Sequence, residues 1–127
     1  MNRVVLDASA VLALLNDEVG AKIVQESLPG AIISSVNFAE VVTRLTILGM
    51  PENEIRDALN ILALDITPFD EDQAFLAGIL AIKTKQLGLS LGDRACLGLA
   101  LKTGSAALTS DKVWQALDIG VDVRVIR

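Results

Sequence analysis

Short runs of apolar residues alternate along this chain with segments in which apolar residues recur at helical spacing. The runs are typical of strands buried in a parallel sheet, and the periodic segments of amphipathic helices. The runs predict five strands, at residues 4–6, 31–33, 64–67, 106–108 and 121–126. Because strands that alternate with helices favour a parallel sheet covered on both faces, we expect an α/β fold.

The segments between these runs predict helices at residues 8–15, 18–28, 36–48, 51–62, 70–86, 91–102 and 111–117. The helix at 70–86 has a stripe of small and apolar residues, formed by Ala74, Phe75, Gly78, Ala81 and Ile82. Small residues let a neighbouring element approach closely. We expect this stripe to pack in the core rather than against a second copy of the chain.

The composition fits one cytoplasmic domain over residues 1–127. Hydrophobic residues make up 52% of the chain, yet its longest stretch without a charge, residues 27–39, is too short to cross a bilayer. The first residues lack the pattern of a signal peptide. Cys96 is the one cysteine and cannot form an internal disulfide, which fits a reducing compartment.

The chain contains no histidine, and this restricts its possible chemistry. Ser-His-Asp triads and the usual histidine zinc sites are excluded. Any metal must be held by oxygen ligands, which favours hard cations such as Mg²⁺ or Mn²⁺. The net charge of −5 argues against binding nucleic acid by bulk electrostatics, and the few aromatic residues argue against a base-stacking surface.

Four acidic residues occupy positions that are unusual for surface charges. Asp7 follows the first strand and Asp111 follows the fourth, while Glu40 lies among apolar neighbours on the helix after the second strand. Asp93 lies in the first turn of an otherwise apolar helix. Since the carboxyl ends of parallel strands meet at one edge, where α/β proteins bind ligands, three of these acids are expected together, and Asp93 joins them if its helix begins there.

Each acid taken alone is also explained by a structural role. These roles are a capping box of Asp93 with Ser90, a first-turn position for Asp111, an ion pair of Glu40 with Arg44, and an N-cap for Asp7. A cluster of all four has a different consequence. Two carboxylates about 5 Å apart repel by roughly 3 kcal/mol, and a divalent cation offsets that cost. A cation held in this way activates water and polarises phosphate, so phosphodiester hydrolysis is the natural reaction class.

Four blocks of sequence resemble the PIN-domain nucleases, and specifically the VapC-type toxins of toxin–antitoxin pairs. The blocks read VLDASA at 5–10, SVNFAEV at 35–41, LSLGDRACLGLA at 89–100 and LTSDKVW at 108–114. The resemblance implies a five-stranded parallel sheet in the order 3-2-1-4-5. It also implies an RNA endonuclease that is commonly dimeric and is silenced by a small antitoxin entering an acidic groove.

The same resemblance implies roles for individual residues. Asp7, Glu40, Asp93 and Asp111 would hold one or two Mg²⁺ or Mn²⁺ ions. Ser9 and Asn37 match polar positions near the site, and Thr109 resembles a hydroxyl that supports the last acid. Candidates for contacts with RNA phosphates are the basic residues Arg3, Arg44, Arg94, Lys83, Lys85 and Lys112.

Other functions are also compatible with parts of the pattern. A receiver-like phosphoacceptor domain has a similar alternation of elements, but it needs adjacent acids after the first strand and an acceptor after the third. A haloacid-dehalogenase-like phosphatase needs a second Asp at the position of Ser9. A catalytically silent PIN-fold interaction domain remains a further alternative.

Overall fold

The structure, a computed structural model, describes residues 3–127. One sheet contains five parallel strands in the order β3-β2-β1-β4-β5. The strands are β1 Val4–Leu6, β2 Ala31–Ser34, β3 Asp65–Thr67, β4 Ala106–Thr109 and β5 Val123–Val125. The expected α/β class and strand order are both confirmed.

Consecutive residues of the central strands face opposite sides of this sheet, and a hydrophobic core lies on each side. Val4 and Leu6 of β1 belong to one core, and the intervening Val5 belongs to the other. The helices are α1 Ala8–Leu15, α2 Ala21–Ser27, α3 Ser35–Ile47, α4 Glu52–Leu62, α5 Glu71–Ile79, α6 Ala81–Thr84 and α7 Leu91–Thr103, with 3₁₀ helices at Lys85–Leu87 and Lys112–Ala116. Buried residues of α1 to α4 fill the first core, and those of α7 fill the second, together with Trp114.

The second helix begins later than its apolar spacing predicts, at Ala21 rather than residue 18. Gly20 precedes it with a φ of +94°, a left-handed conformation that favours glycine. A Cβ at this position would lie 2.6 Å from the carbonyl oxygen of Ile126. The close approach of the C-terminal segment therefore requires glycine here.

The helix predicted at 70–86 is divided into α5, α6 and a 3₁₀ turn. Leu80 lies at the break between α5 and α6, and both Leu80 and Thr84 are buried. The Thr84 hydroxyl donates a hydrogen bond to the Leu80 carbonyl oxygen at 2.9 Å. Gly78 lies two residues before this break, but helical periodicity continues through it and so did not predict the break.

The expected core position of the stripe on α5 and α6 is wrong. Phe75 is 71% exposed and Ile82 81% exposed. The buried face of α5 is formed instead by Gln73 and Ala77, and Ala77 packs beside Gly98 of α7. Because α5 has apolar residues on more than one face, periodicity could not decide which face turns inward.

Among the helices that the structure describes, none combines the length and apolar character needed to cross a membrane.

Candidate active site

Asp7 lies directly after β1 and is buried at the carboxyl edge of the sheet. Its backbone has the N-cap conformation for α1, but its carboxylate makes no capping hydrogen bond. Instead, Asp7 Oδ2 accepts hydrogen bonds from the hydroxyls of Ser9 at 2.7 Å and Thr109 at 2.9 Å. The N-cap role therefore does not account for this side chain.

Asp111 is connected to Asp7 through Thr109, which is fully buried at the end of β4. The Thr109 hydroxyl oxygen accepts the Asp111 backbone N–H at 3.1 Å. The Asp111 carboxylate accepts the Val113 N–H at 3.0 Å and so caps the 3₁₀ helix Lys112–Ala116. Asp111 therefore has the structural role of a helix cap, and the Thr109 hydroxyl links its backbone to the Asp7 carboxylate.

Glu40 lies in the second turn of α3 and is held by Asn37, a fully buried residue of the same helix. The Asn37 side-chain amide donates one hydrogen bond to Glu40 Oε1 and another to the Gly92 carbonyl oxygen of α7, each at 2.9 Å. The ion pair expected between Glu40 and Arg44 is absent from residues 3–127, where the arginines that form ion pairs are Arg3, Arg56 and Arg124. Asn37 therefore brings the start of α7 next to α3.

Asp93 lies in the first turn of α7 and forms the expected capping box with Ser90. The Ser90 hydroxyl accepts the Asp93 N–H at 3.1 Å, and Asp93 Oδ2 accepts the Ser90 N–H at 2.9 Å. This structural prediction is confirmed. The box also fixes the direction of the Asp93 side chain. Because α7 begins at the edge where Asp7 and Glu40 lie, Asp93 is close enough for its charge to act on both.

The pKa values of Asp7 and Glu40 are raised at this edge, mainly by burial. Burial raises the pKa of Asp7 from 3.8 to about 6; hydrogen bonds from Ser9 and Thr109 oppose the rise, and the charges of Asp93 and Glu40 add to it. Partial burial and the charge of Asp93 also raise the pKa of Glu40, against the Asn37 hydrogen bond. Cys96 is fully buried in α7, where burial, followed by the three charges, raises the pKa of its thiol well above the usual range.

The donor set at this edge suits a hard divalent cation in its chemistry. The acids supply only oxygen ligands, and the pKa values of Asp7 and Glu40 are raised first by burial and to a smaller extent by neighbouring negative charge. Asn37 Oδ1 is buried without a hydrogen-bond partner in the structure. In the conformation described for residues 3–127, no three His, Cys, Asp or Glu side chains are arranged to hold a metal ion.

The predicted RNA-contact residues do not all lie near the acids. Arg3 precedes β1, at the opposite edge of the sheet, and pairs with Asp65 at 3.8 Å. Arg94 is half-buried and donates a hydrogen bond to the Ala77 carbonyl oxygen at 2.8 Å, which links α7 to α5.

Two other basic candidates line open clefts that contain an acid of the site. Arg44 and Glu40 line an open groove with Phe69. Lys112 and Asp111 line a cleft that also contains Arg127, whose guanidinium donates to the Ser110 carbonyl oxygen at 3.1 Å. Lys83 and Lys85 are exposed on α6 and the 3₁₀ turn after it.

Two residues of this region were not singled out by the sequence pattern. Gly92 lies against the Glu40 carboxylate, and its only signal in the sequence is its place beside Asp93. Arg127 reaches Ser110 from the end of the chain, and no motif surrounds it.

Comparison with known proteins identifies the family. The model of the PIN domain family matches residues 4–120, whereas a sequence search of curated proteins finds no match. Among solved structures, the chain is similar to DNA-bound VapBC from Salmonella typhimurium, with a TM-score of 0.77, 16% identity and all of both chains covered. A toxin–antitoxin complex from Klebsiella pneumoniae gives 0.76 with 21% identity over 98% of each chain. FitAcB from Neisseria gonorrhoeae gives 0.73 with 24% identity over 97% of each.

At these identities the solved structures show a shared fold, and the family match extends over nearly the whole described chain. Both agree with the family expected from the four sequence blocks. This chain belongs to the PIN domain family.

Proposed function

We propose that this chain is a metal-dependent RNA endonuclease of the VapC type, the toxin of a toxin–antitoxin pair in the cytoplasm. The observation that carries the proposal is the meeting of Asp7, Glu40 and Asp93 at one edge of the sheet, where the charges of Asp93 and Glu40 act on Asp7 and the charge of Asp93 acts on Glu40. Such a cluster is costly without a counter-ion. The similarity in fold to toxin–antitoxin complexes supports the toxin role.

The ligands for Mg²⁺ or Mn²⁺ would be Asp7, Asp93 and either Asp111 or Glu40. When bound, such a cation neutralises the carboxylates, polarises the scissile phosphate and lowers the pKa of nearby water. Asp111 already caps a 3₁₀ helix through Oδ1, and Asp93 uses Oδ2 in its capping box. These bonds restrict the directions of both carboxylates, and the acids would have to adjust from the conformation described for residues 3–127 to hold a metal ion together.

The surrounding side chains orient the acids for hydrolysis. Ser9 and Thr109 hold one oxygen of Asp7, and Asn37 holds Oε1 of Glu40. If Asp111 rather than Glu40 completes the ligand set, Glu40 Oε2 is free to accept a proton from water that attacks phosphorus in line with the departing 3′ oxygen. The P–O3′ bond breaks, the water oxygen stays on the 5′-phosphate, and the 3′ oxygen takes up a proton to become a hydroxyl.

RNA binding would depend on a few local cations, because the chain carries a net charge of −5. Arg44 and Lys112 are the best placed, since each lines an open cleft together with an acid of the site. Such contacts position the RNA backbone without reading its sequence.

We also propose a small antitoxin and a second copy of this chain as protein partners. The antitoxin is suggested by the VapBC and toxin–antitoxin complexes that share the fold. The second copy is suggested by the exposed stripe on α5 and α6, where Phe75 and Ile82 are more than half exposed, as is the neighbouring Ile79 of α5. Contiguous exposed apolar residues of this kind mark interaction surfaces.

A receiver-like function receives less support. The segment after β3 supplies Asp70, but its carboxylate accepts the Gln73 N–H at 3.0 Å as the N-cap of α5. Ala8 follows Asp7, so the adjacent pair of acids is also missing.

The test is cleavage of defined RNAs with Mg²⁺ or Mn²⁺, with and without EDTA, by the wild type, Asp7→Asn and the surface control Asp65→Asn. We expect cleavage by the wild type and Asp65→Asn only when metal is present, and none by folded Asp7→Asn. Metal-independent cleavage, or cleavage retained by Asp7→Asn, would contradict the assignment. Labelling by acetyl phosphate without cleavage would favour the receiver alternative.

A further inference from the structure

Gly92 occupies a position of α7 where an added Cβ would enter the space of the Glu40 carboxylate. A Cβ built on Gly92 would lie 2.6 Å from the carboxyl carbon of Glu40, well inside the distance that real Cβ atoms show. The backbone of Gly92 is buried and helical, so no unusual φ accounts for the glycine. The lack of a side chain here creates the space that the Glu40 carboxylate fills.

Asn37 fixes the geometry of this space by hydrogen bonds to both Glu40 and Gly92. Its amide group donates to the Gly92 carbonyl oxygen and to Glu40 Oε1 at the same distance, 2.9 Å. One buried side chain thus sets both the spacing of α3 from α7 and the direction of Glu40. Gly92 and Asn37 act on the same carboxylate, one by leaving space and the other by a hydrogen bond.

We propose that Gly92 is a positioning residue that sets the reactive orientation of Glu40, an inference that rests on the proposed nuclease function. Replacing Gly92 with Ala would push the Glu40 carboxylate out of its place and away from Asn37. Because the displaced group is the end of a flexible side chain, the fold would remain. A misplaced catalytic group commonly lowers kcat by about 100-fold.

The matched control is Gly98→Ala in the same helix. Gly98 is also buried in α7, but a Cβ there would make ordinary contacts with Leu76, the nearest atom at 3.5 Å. We expect Gly98→Ala to keep the kcat and KM of the wild type. We expect Gly92→Ala to lower kcat roughly 100-fold with little change in KM. If Gly92→Ala cleaves RNA like Gly98→Ala, the proposal is wrong.

A double-mutant cycle tests whether Gly92 acts through Glu40. In the Glu40→Ala background the obstacle is gone, so Gly92→Ala should cause no further loss of the residual cleavage. In the Glu40→Ala background, Gly92→Ala should raise the melting temperature by about 2–3 °C, because Ala has a higher helix propensity than Gly. In the wild-type background the same substitution should raise the melting temperature by less. Equal effects of Gly92→Ala in both backgrounds would overturn the proposal.

The side-chain amide signals of Asn37 in ¹H–¹⁵N spectra provide a measurement that needs neither RNA nor metal. We expect both signals to move in Gly92→Ala, because the Glu40 acceptor is lost, and to stay in place in Gly98→Ala. Unchanged Asn37 signals in Gly92→Ala would contradict the inference. If the wild type does not cleave RNA, the proposed function fails, while the Asn37 signals and the melting temperatures still decide the role of Gly92.

Discussion

The Thr109 hydroxyl donates a hydrogen bond to Asp7 Oδ2 across 2.9 Å, joining residues that are 102 positions apart in the chain. The parallel pairing of β1 with β4 makes this contact possible, since Leu6 and Leu108 are in register one residue earlier. The same hydroxyl accepts the Asp111 N–H. One buried hydroxyl therefore holds two of the four candidate acids.

Replacing Thr109 with Val removes this hydroxyl at nearly constant volume. Asp7 loses a hydrogen bond that opposes the rise of its pKa, and the Asp111 N–H loses its acceptor. We expect the free energy of unfolding to fall by about 1–3 kcal/mol and the pKa of Asp7 to rise further, as measured by denaturant unfolding and carboxyl NMR. The control is Thr46→Val, because Thr46 is exposed and its hydroxyl bonds only the preceding turn. Equal stability of the two variants would show that the buried hydroxyl has no special role.

Replacing Asp7 with Asn should stabilise the metal-free protein at high pH. The folded-state pKa of Asp7, about 6, lies above its ordinary value of 3.8, so the folded state binds this proton more tightly. The stabilisation of the folded state by this protonated carboxyl is complete below about pH 4 and is lost as the pH rises through 6. We expect Asp7→Asn to exceed the wild type by up to about 3 kcal/mol at pH 8 in EDTA, with the difference shrinking toward pH 4. A wild type that is the more stable protein at pH 8 would contradict this prediction.

Divalent metal should stabilise the wild type more than Asp93→Asn. Binding only to the folded state adds about 1.4 kcal/mol at a metal concentration near ten times Kd. Melting curves with Mn²⁺ and with Mg²⁺ measure the effect, and Asn at position 93 still accepts the Ser90 N–H, so the helix cap is retained. The same titration of Asp111→Asn shows whether the fourth acid takes part. Equal melting shifts in the wild type and Asp93→Asn would mean that Asp93 is not a ligand.

The two arginines on α3 and α7 should respond differently to substitution. Arg44 is exposed in the groove beside Glu40, so Arg44→Ala should raise KM for RNA and reduce the salt slope of binding by about one. Arg94 instead bonds the Ala77 carbonyl oxygen, so Arg94→Met should lower the free energy of unfolding by about 1–3 kcal/mol. RNA titrations at several salt concentrations and denaturant unfolding separate the two effects. If Arg94→Met instead weakens RNA binding without lowering the free energy of unfolding, Arg94 contacts RNA.

A charge placed on the exposed stripe of α5 and α6 should prevent self-association. Phe75→Lys introduces a cation where an apolar contact is proposed, and analytical ultracentrifugation should show its dimer weakened tenfold or more, by about 1.4 kcal/mol. Val19→Lys is the control, because Val19 is equally exposed, at 72% against 71%, and lies elsewhere on the surface. A Phe75→Lys protein that dimerises like the control would exclude the stripe.

The apolar pattern was sufficient for the sheet and for most helices, since runs such as Ile32-Ile33 have only one favourable environment. It could not assign faces on α5, where apolar residues surround the helix and the buried positions include the polar Gln73. It also gave no sign of the break at Leu80, because the apolar spacing continues across residues 79–82.

For the candidate site, the strand order was enough to expect Asp7, Glu40 and Asp93 near one edge of the sheet. Their role as metal ligands stays a prediction, and the side chains that support them were not predictable. The contact of Gly92 with Glu40 depends on how closely α3 approaches α7. That distance is set by the hydrogen bond from the Asn37 side chain to the Gly92 carbonyl oxygen, which joins residues 55 positions apart. The position of Arg94 likewise depends on α5, whose packing the sequence left undecided.

The burial of Cys96 gives the protein a built-in reporter. This thiol lies on the buried face of α7, close enough to the acids for their charges to act on it. Alkylating reagents therefore reach it only during transient opening of that helix. The labelling rate therefore measures how often α7 opens locally beneath the acids, without any attached probe. A ligand that bridges the acids will slow this reaction in proportion to its occupancy.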